Sequence, residues 1–321
     1  MAKRQAPPPS IHPSNRAIDM TPTVAGPDIL QDALSDVQAE VDSAFDAMLP
    51  IPRDSRSRLV EAMRYAAIGG GKRVRPLLLA ATADMFGVDR DAAIRAGCAV
   101  EAIHVYSLIH DDLPCMDDDD MRHGKLTLHK QFDEATAVLA GDSLHALAFE
   151  ILSGPNTSGD PFTRAELIST LAAASGMNGM AGGQMMDMAA EENSYDLQAV
   201  TRLQQLKTGA LLAASVEMGA ILGKVSPEGR AHLRFYARDI GLAFQIADDL
   251  LDRDGDEAKT GKALRKDVEQ GKQTFVTLMG ADGAREQARA LVDQAAGHLV
   301  SYGDDAALLV ALARYIVERD R

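Results

Sequence analysis

The 321-residue sequence contains no tryptophan, and its aromatic share is only 4%. Strands favour aromatic and β-branched residues, so a chain poor in aromatics and rich in Ala, Leu and Met is expected to be helical. Cysteine is also scarce. Cys98 and Cys115 are too few for a disulfide framework, which points to a reducing cytoplasm. The opening residues lack the charged-then-apolar order of a secretory signal. Basic residues are in deficit, 33 Lys and Arg against 47 Asp and Glu, for a formal net charge of −14. Nucleic-acid binding needs a basic face and is not expected. No apolar run reads as long enough to cross a bilayer, so no membrane span is expected either.

What is present is organised by helical spacing. An apolar share of 46% and a charged share of 25% are ordinary for a globular chain. Residues 1–27 carry Pro7, Pro8, Pro9, Pro13, Pro22 and Pro27 and read as an extended arm. From Ile29 the apolar period is helical: Leu59, Met63 and Ala66 follow Asp54/Ser55 caps and stop at Gly69-Gly70-Gly71. Similar segments cover about 88–113, 133–152, 163–180, 197–223 and 227–252, with breaks at SGPNTSGDP and at the charged stretch 252–272. No composition shift divides residues 28–321, so a single all-α bundle of about ten or more helices is expected.

The stretch LIHDDLPCMDDDDMRHG places Asp111, Asp112 and Asp117 to Asp120 together without a lysine. Such acids repel one another unless a cation neutralises them. On a straight helix Asp111 and Asp117 would point about 120° apart. Pro114 removes a backbone donor and clashes with the preceding turn, so the helix is expected to end near 113 and let Asp117 fold back beside Asp111. Oxygen-only ligands suit Mg²⁺, which shares itself between carboxylates and substrate phosphates. A second acidic site lies in FQIADDLLD, where Gln245, Asp248, Asp249 and Asp252 share one helix face. Taken alone it reads as a solvated face, but an exposed face normally mixes acids with Lys or Arg.

Cations supply the complement. GGGKRVRP puts Lys72, Arg73 and Arg75 after a flexible glycine turn, where basic side chains can converge on a phosphate. Lys207-Thr208 sits among leucines, Lys272 ends the charged stretch, and His104 precedes Asp111 by two helical turns on the same face. Two acid clusters with two sets of cations imply two diphosphates, one held through metal and one held directly.

These motifs, with AVLAGDSLHALAFE, GMAGGQMMD, LKTGALL and GKQTF, resemble the trans-isoprenyl diphosphate synthase family, and within it the bacterial farnesyl diphosphate synthases. The resemblance runs from about residue 29 to the C-terminus. It implies an all-α bundle around a central cavity, usually a homodimer, with about three Mg²⁺ on the allylic diphosphate. Asp111, Asp112, Asp117, Asp248, Asp249 and Asp252 would hold the metal, assisted by Lys207, Lys272 and Arg122. Gly71, Lys72, Arg75 and His104 would bind isopentenyl diphosphate, and Lys262 in the charged stretch would also face substrate. Gln245 and Thr208 match positions near the reacting carbons, and Gln184 with Asp187 matches a supporting polar pair. The stretch 252–272 reads as a lid that excludes water.

Two positions depart from the family pattern. His123 stands where a second arginine usually contacts isopentenyl diphosphate, and Leu126 stands where Pro is usual. Tyr106 and Ser107, before the first acidic motif, resemble the residues that stop chain growth at fifteen carbons. The alternatives are a geranyl or geranylgeranyl diphosphate synthase and a non-catalytic partner subunit, which typically loses one acidic motif. A class I terpene cyclase shares the first motif but usually mixes Asn, Ser or Thr with Glu in its second, unlike DDLLD.

Overall fold

Helix starts are written into the sequence as capping side chains. In the computed structural model, which describes residues 27–190, 193–254 and 273–318, the side chains of Asp89, Asp133, Asp160 and Asp196 each accept a backbone N–H of the helix that follows. Each satisfies a donor that has no partner inside the helix. Thr274 forms a reciprocal capping box with Thr277.

The described residues form α1 (Pro27–Met48), α2 (Ser57–Ala67), α3 (Val74–Asp84), α4 (Arg90–Asp111), a hairpin of β1 (Met121–Arg122) and β2 (Lys125–Leu126), α5 (Leu128–Gln131) and α6 (Glu134–Ser153). There follow α7 (Pro161–Ser175), α8 (Met180–Ala189), α9 (Leu197–Gln204), a π-helical turn at Gln205–Gly209, α10 (Ala210–Leu222) and α11 (Ala231–Asp254). The described chain closes with α12 (Phe275–His298), a 3₁₀ segment (Val300–Ala306) and α13 (Ala307–Glu318). The all-α architecture is the expected one.

The centre is built from α3 and α10, which are apolar nearly all round. Leu77, Leu78 and Leu79 of α3 and Leu211, Leu212 and Ile221 of α10 are buried, a pattern that only an interior helix shows. Gly219 permits the close crossing, because a Cβ there would stand 2.6 Å from the Leu79 carbonyl. On the far side, the buried Tyr236 of α11 donates its hydroxyl to the Leu309 carbonyl of α13 at 2.7 Å.

Several local expectations change. The segment expected over 163–180 ends at Ser175, and α8 restarts after Gly176 and Gly179. The segment expected over 197–223 is interrupted by the π turn, at Lys207-Thr208. Helix α2 has no side-chain cap. Asp54 instead accepts both the backbone and the guanidinium N–H of Arg56. By length and mean hydropathy, α4 and α6 are long and apolar enough to cross a membrane, contrary to expectation, but 67% of the α4 window is buried in the bundle. Most of the expected arm, residues 1–26, and most of the expected lid, residues 255–272, lie outside the described residues, as do Lys262 and Lys272.

Candidate active site

The first acidic motif folds as Pro114 requires. Helix α4 stops at Asp111, and the chain turns so that the Asp117 N–H donates to the Asp111 carbonyl at 2.8 Å and the Asp118 N–H to the Leu113 carbonyl at 3.2 Å. Asp117 is thereby carried back beside Asp111. Burial pushes the Asp111 carboxyl up to about 6; Lys207 opposes the shift and Asp117 adds to it. Asp112 is more enclosed and differently employed. Arg122 clamps it through Nε at 2.7 Å and reaches Asp119 at 3.5 Å.

The second motif stands on α11 and is joined to the π turn. Thr208 donates to Gln245 at 3.1 Å, and Gln245 donates to Asp249 at 3.0 Å. The other Asp249 oxygen accepts the backbone N–H of Phe275 at 2.9 Å. Asp249 is 5% exposed, and through this bond it ties the second acid motif to the start of α12. Asp248 lies near Arg75, whose half-buried guanidinium also faces Glu101.

Lys207 is fixed by its surroundings. Its ammonium pairs with Asp187 of α8 at 2.8 Å. The backbones of α8 and the π turn touch at Gly183, where any Cβ would collide with the Lys207 N–H. A π turn re-aims side chains that a regular helix would direct elsewhere, and here it presents Lys207 toward Asp111 and Thr208 toward Gln245. The expected pair of Gln184 and Asp187 is therefore half placed: Asp187 positions Lys207, while the buried Gln184 Oε1 has no hydrogen-bond partner in the structure.

A cavity opens beside the acids, between the glycine turn, α4 and the hairpin. It holds about 620 Å³ of empty space including its open mouth, and its polar lining includes Gly71, Arg73, His104, Arg122, His123 and Lys125. Burial holds the His104 imidazole well below its ordinary range, and Arg75, His123, Arg122 and Arg73 act in the same direction. Of the three cations after the glycine turn, Arg73 is not available to a ligand. It is 3% exposed and tied to Glu101 at 2.8 Å, Asp42 at 2.7 Å and the Ala67 carbonyl. Lys72 lies over the Tyr315 ring, 5.5 Å from its centroid, and neither Lys72 nor Arg75 lines this cavity.

Tyr106 packs its ring against His110 and, at 4.9 Å, against His145 of α6, while Ser107 donates to the His104 carbonyl. Neither lines the cavity just described. Among the described residues no three carboxylate, imidazole or thiol side chains form a ready-made metal cage. An ion shared with phosphate oxygens does not require such a cage.

The residues missed from sequence are Glu101, Asp42, Tyr65 and Lys125. The signal for the last was His123-Gly124, a pair with φ of 51° and 75° that makes a two-residue hairpin turn. A reading in helical period alone has no place for it.

The polyprenyl synthetase family pattern matches residues 56–307. The chain is 46% identical to the farnesyl diphosphate synthase of Escherichia coli (strain K12) over 288 residues, 87% of this chain and 94% of that one. It superposes with a TM-score of 0.85 on the apo structure of an FPP/GFPP synthase from Zymomonas mobilis, 56% identical and covering 90% of this chain and 99% of that one. The geranyltransferase of Helicobacter pylori, solved with magnesium and isoprenyl diphosphate, gives a TM-score of 0.79 at 31% identity, covering 92% and 100%. With the paired acid motifs, the fold and this breadth of match in agreement, the chain belongs to the polyprenyl synthetase family.

Proposed function

We propose that the protein is a Mg²⁺-dependent prenyltransferase that condenses isopentenyl diphosphate with dimethylallyl or geranyl diphosphate, giving mainly farnesyl diphosphate. One observation carries the reading. Asp111 faces Lys207, Thr208 reaches α11 through Gln245, and Arg75 lies near Asp248, so both acid motifs and the cations form one connected site.

Asp111, Asp112, Asp117, Asp248, Asp249 and Asp252 are the proposed carboxylates for about three Mg²⁺ with the substrate diphosphate, Asp112 also pairing with Arg122 and Asp249 with the start of α12. The donor set is oxygen only, and burial beside Asp117 raises Asp111; a divalent cation would replace the solvation it has lost. When bound, the metal supplies Lewis-acid stabilisation of the leaving diphosphate. Lys207, kept in place by Asp187, takes up part of the same charge as the allylic C1–O bond breaks. The double bond of isopentenyl diphosphate then attacks C1, and the proton lost in forming the new double bond passes to the released diphosphate. No enzyme nucleophile takes part. Lys72, Arg75 and His104 are the proposed contacts of the isopentenyl diphosphate. His104, held neutral, donates a hydrogen bond there and adds no charge.

The protein acts as a cytoplasmic homodimer without a membrane span. In support, α4 is mainly interior, and Val138 and Leu139 of α6 are 41% and 56% exposed, apolar surface that a second copy would cover.

Purified protein incubated with isopentenyl diphosphate and each starter, with Mg²⁺ or with EDTA, is expected to give a metal-dependent fifteen-carbon product by mass spectrometry. No product from either starter would favour the non-catalytic partner reading, against which both acid motifs are retained. A longer or shorter product would keep the chemistry and favour a geranylgeranyl or geranyl synthase. Tyr106→Ala is expected to lengthen the product to twenty carbons or more. An unchanged product would place the floor of the cavity elsewhere.

A further inference from the structure

The cavity beside the acids is lined by five basic side chains, yet its charge is much smaller than that number suggests. Arg73 is neutralised by Glu101 and Asp42, and Arg122 by Asp112 and Asp119. His104 is held uncharged by burial and by its cationic neighbours. His123 stands exposed at the tip of the hairpin. Lys125 remains.

The hairpin decides where Lys125 goes. His123 and Gly124, both with positive φ, form the two-residue turn, so Arg122 and Lys125 are cross-strand partners. Their side chains leave the ribbon on the same face, whereas His123 sits at the exposed tip. The ribbon is pinned to the bundle, because the Tyr65 hydroxyl donates to the Leu126 carbonyl at 3.0 Å and Tyr65 packs edge-on against Phe132. The Lys125 ammonium then lies 5.6 Å from the centroid of the Tyr65 ring and 3.5 Å from the Ile68 carbonyl, at the entrance to the glycine turn. A Cβ on Gly69 would stand 3.6 Å from it. The contacts that hold it are a ring face and a weak carbonyl contact, neither of which neutralises its charge.

We infer that Lys125 is a substrate-binding residue of this enzyme, its ammonium contacting the diphosphate of isopentenyl diphosphate in place of the missing arginine at position 123. This rests on the prenyltransferase reading above. A flexible ammonium with three donors suits a phosphate oxygen as a point charge, and its partners at Tyr65 and Ile68 are readily exchanged for one. The residue therefore belongs to the recognition of the nucleophilic substrate and not to the ionisation of the allylic one.

Initial rates over a range of isopentenyl diphosphate, at saturating Mg²⁺ and geranyl diphosphate, test the assignment in the wild type, Lys125→Ala and Lys125→Arg. Lys125→Ala is expected to raise KM for isopentenyl diphosphate about tenfold, a larger effect than on kcat or on KM for geranyl diphosphate, as loss of a charge-assisted contact predicts. Lys125→Arg is expected to return that KM to within about twofold of wild type, which a packing role would not require. An unchanged KM in Lys125→Ala, or an Arg variant as impaired as the Ala variant, would overturn it. A wild-type protein that converts neither starter would overturn the prenyltransferase reading and the role of Lys125 together.

Discussion

On the acidic wall Asp111 is desolvated to the point that its carboxyl rises to about 6, with a second acid folded against it. On the basic wall Arg73 and Arg122 are each neutralised by two carboxylates of the same chain. At Asp111 the chain sets Lys207 against burial and Asp117, and the carboxyl still rises, whereas Arg73 and Arg122 each lie within ion-pair distance of carboxylates. The difference follows from what each must hold. In the proposed reaction, metal ions and a diphosphate would bring positive and negative charge together to the acids, so the protein need not balance them in advance. The basic wall would face a single anion in that reaction, and a surplus of buried, unpaired guanidinium groups would be costly to fold.

Breaking the acidic wall should have the largest effect. Asp248→Asn keeps size and polarity but removes a carboxylate from the α11 face. Turnover at saturating Mg²⁺ and substrates is expected to fall about 10³-fold, the scale of losing one electrostatic contact to a transition state. A loss of less than tenfold in initial rate would remove Asp248 from the metal set.

Breaking the basic wall should act on stability first. Glu101 is 3% exposed and pairs with Arg73, itself 3% exposed. Glu101→Gln leaves that guanidinium with Asp42 as its remaining carboxylate, and unfolding in urea is expected to show a loss of about 3 kcal/mol. An unchanged midpoint would mean that Asp42 and the Ala67 carbonyl suffice.

Adding charge to the basic wall sharpens the contrast. His123→Arg is expected to lower KM for isopentenyl diphosphate about two- to threefold and to flatten its dependence between about pH 6 and 8. The sign follows from titration: an imidazole gains charge as pH falls, so the wild-type KM should fall with it, while a guanidinium stays charged throughout. Equal KM values and equal pH slopes in the two proteins would remove position 123 from substrate binding.

The smallest effect separates the two cysteines. Burial pushes the Cys98 thiol up to about 12, whereas Cys115 is exposed in the acidic loop. A thiol reagent at about pH 8 should therefore titrate one cysteine in the native protein and two in guanidinium. Two reactive thiols without denaturant would show that the core around α4 opens readily.

The caps at Asp89, Asp133, Asp160 and Asp196, the amphipathic DDLLD face and the break at Pro114 are local effects. Each depends on residues within a turn or two of one another, which is why helix positions and the return of Asp117 to Asp111 were legible from the letters alone. The π turn was not legible, because QLKTG continues a helical pattern and departs from it only where Gly183 and Gly241 bring α8 and α11 against its backbone. The hairpin was missed for a related reason: four strand residues are too few for any period to register.

The sequence alone thus determined the helical class, the two acid motifs and the kind of ion and substrate they suit, since these depend on residue type and near spacing. Only the tertiary structure decided which charges remain for a ligand. Arg73, Arg75 and Lys72 stand within four positions of one another, yet Glu101 and Asp42 claim the first, Asp248 and Glu101 flank the second, and the ring of Tyr315 lies under the third. Those partners come from α1, α4, α11 and α13, and electrostatic interaction depends on distance in space and on desolvation, neither of which the order of residues contains.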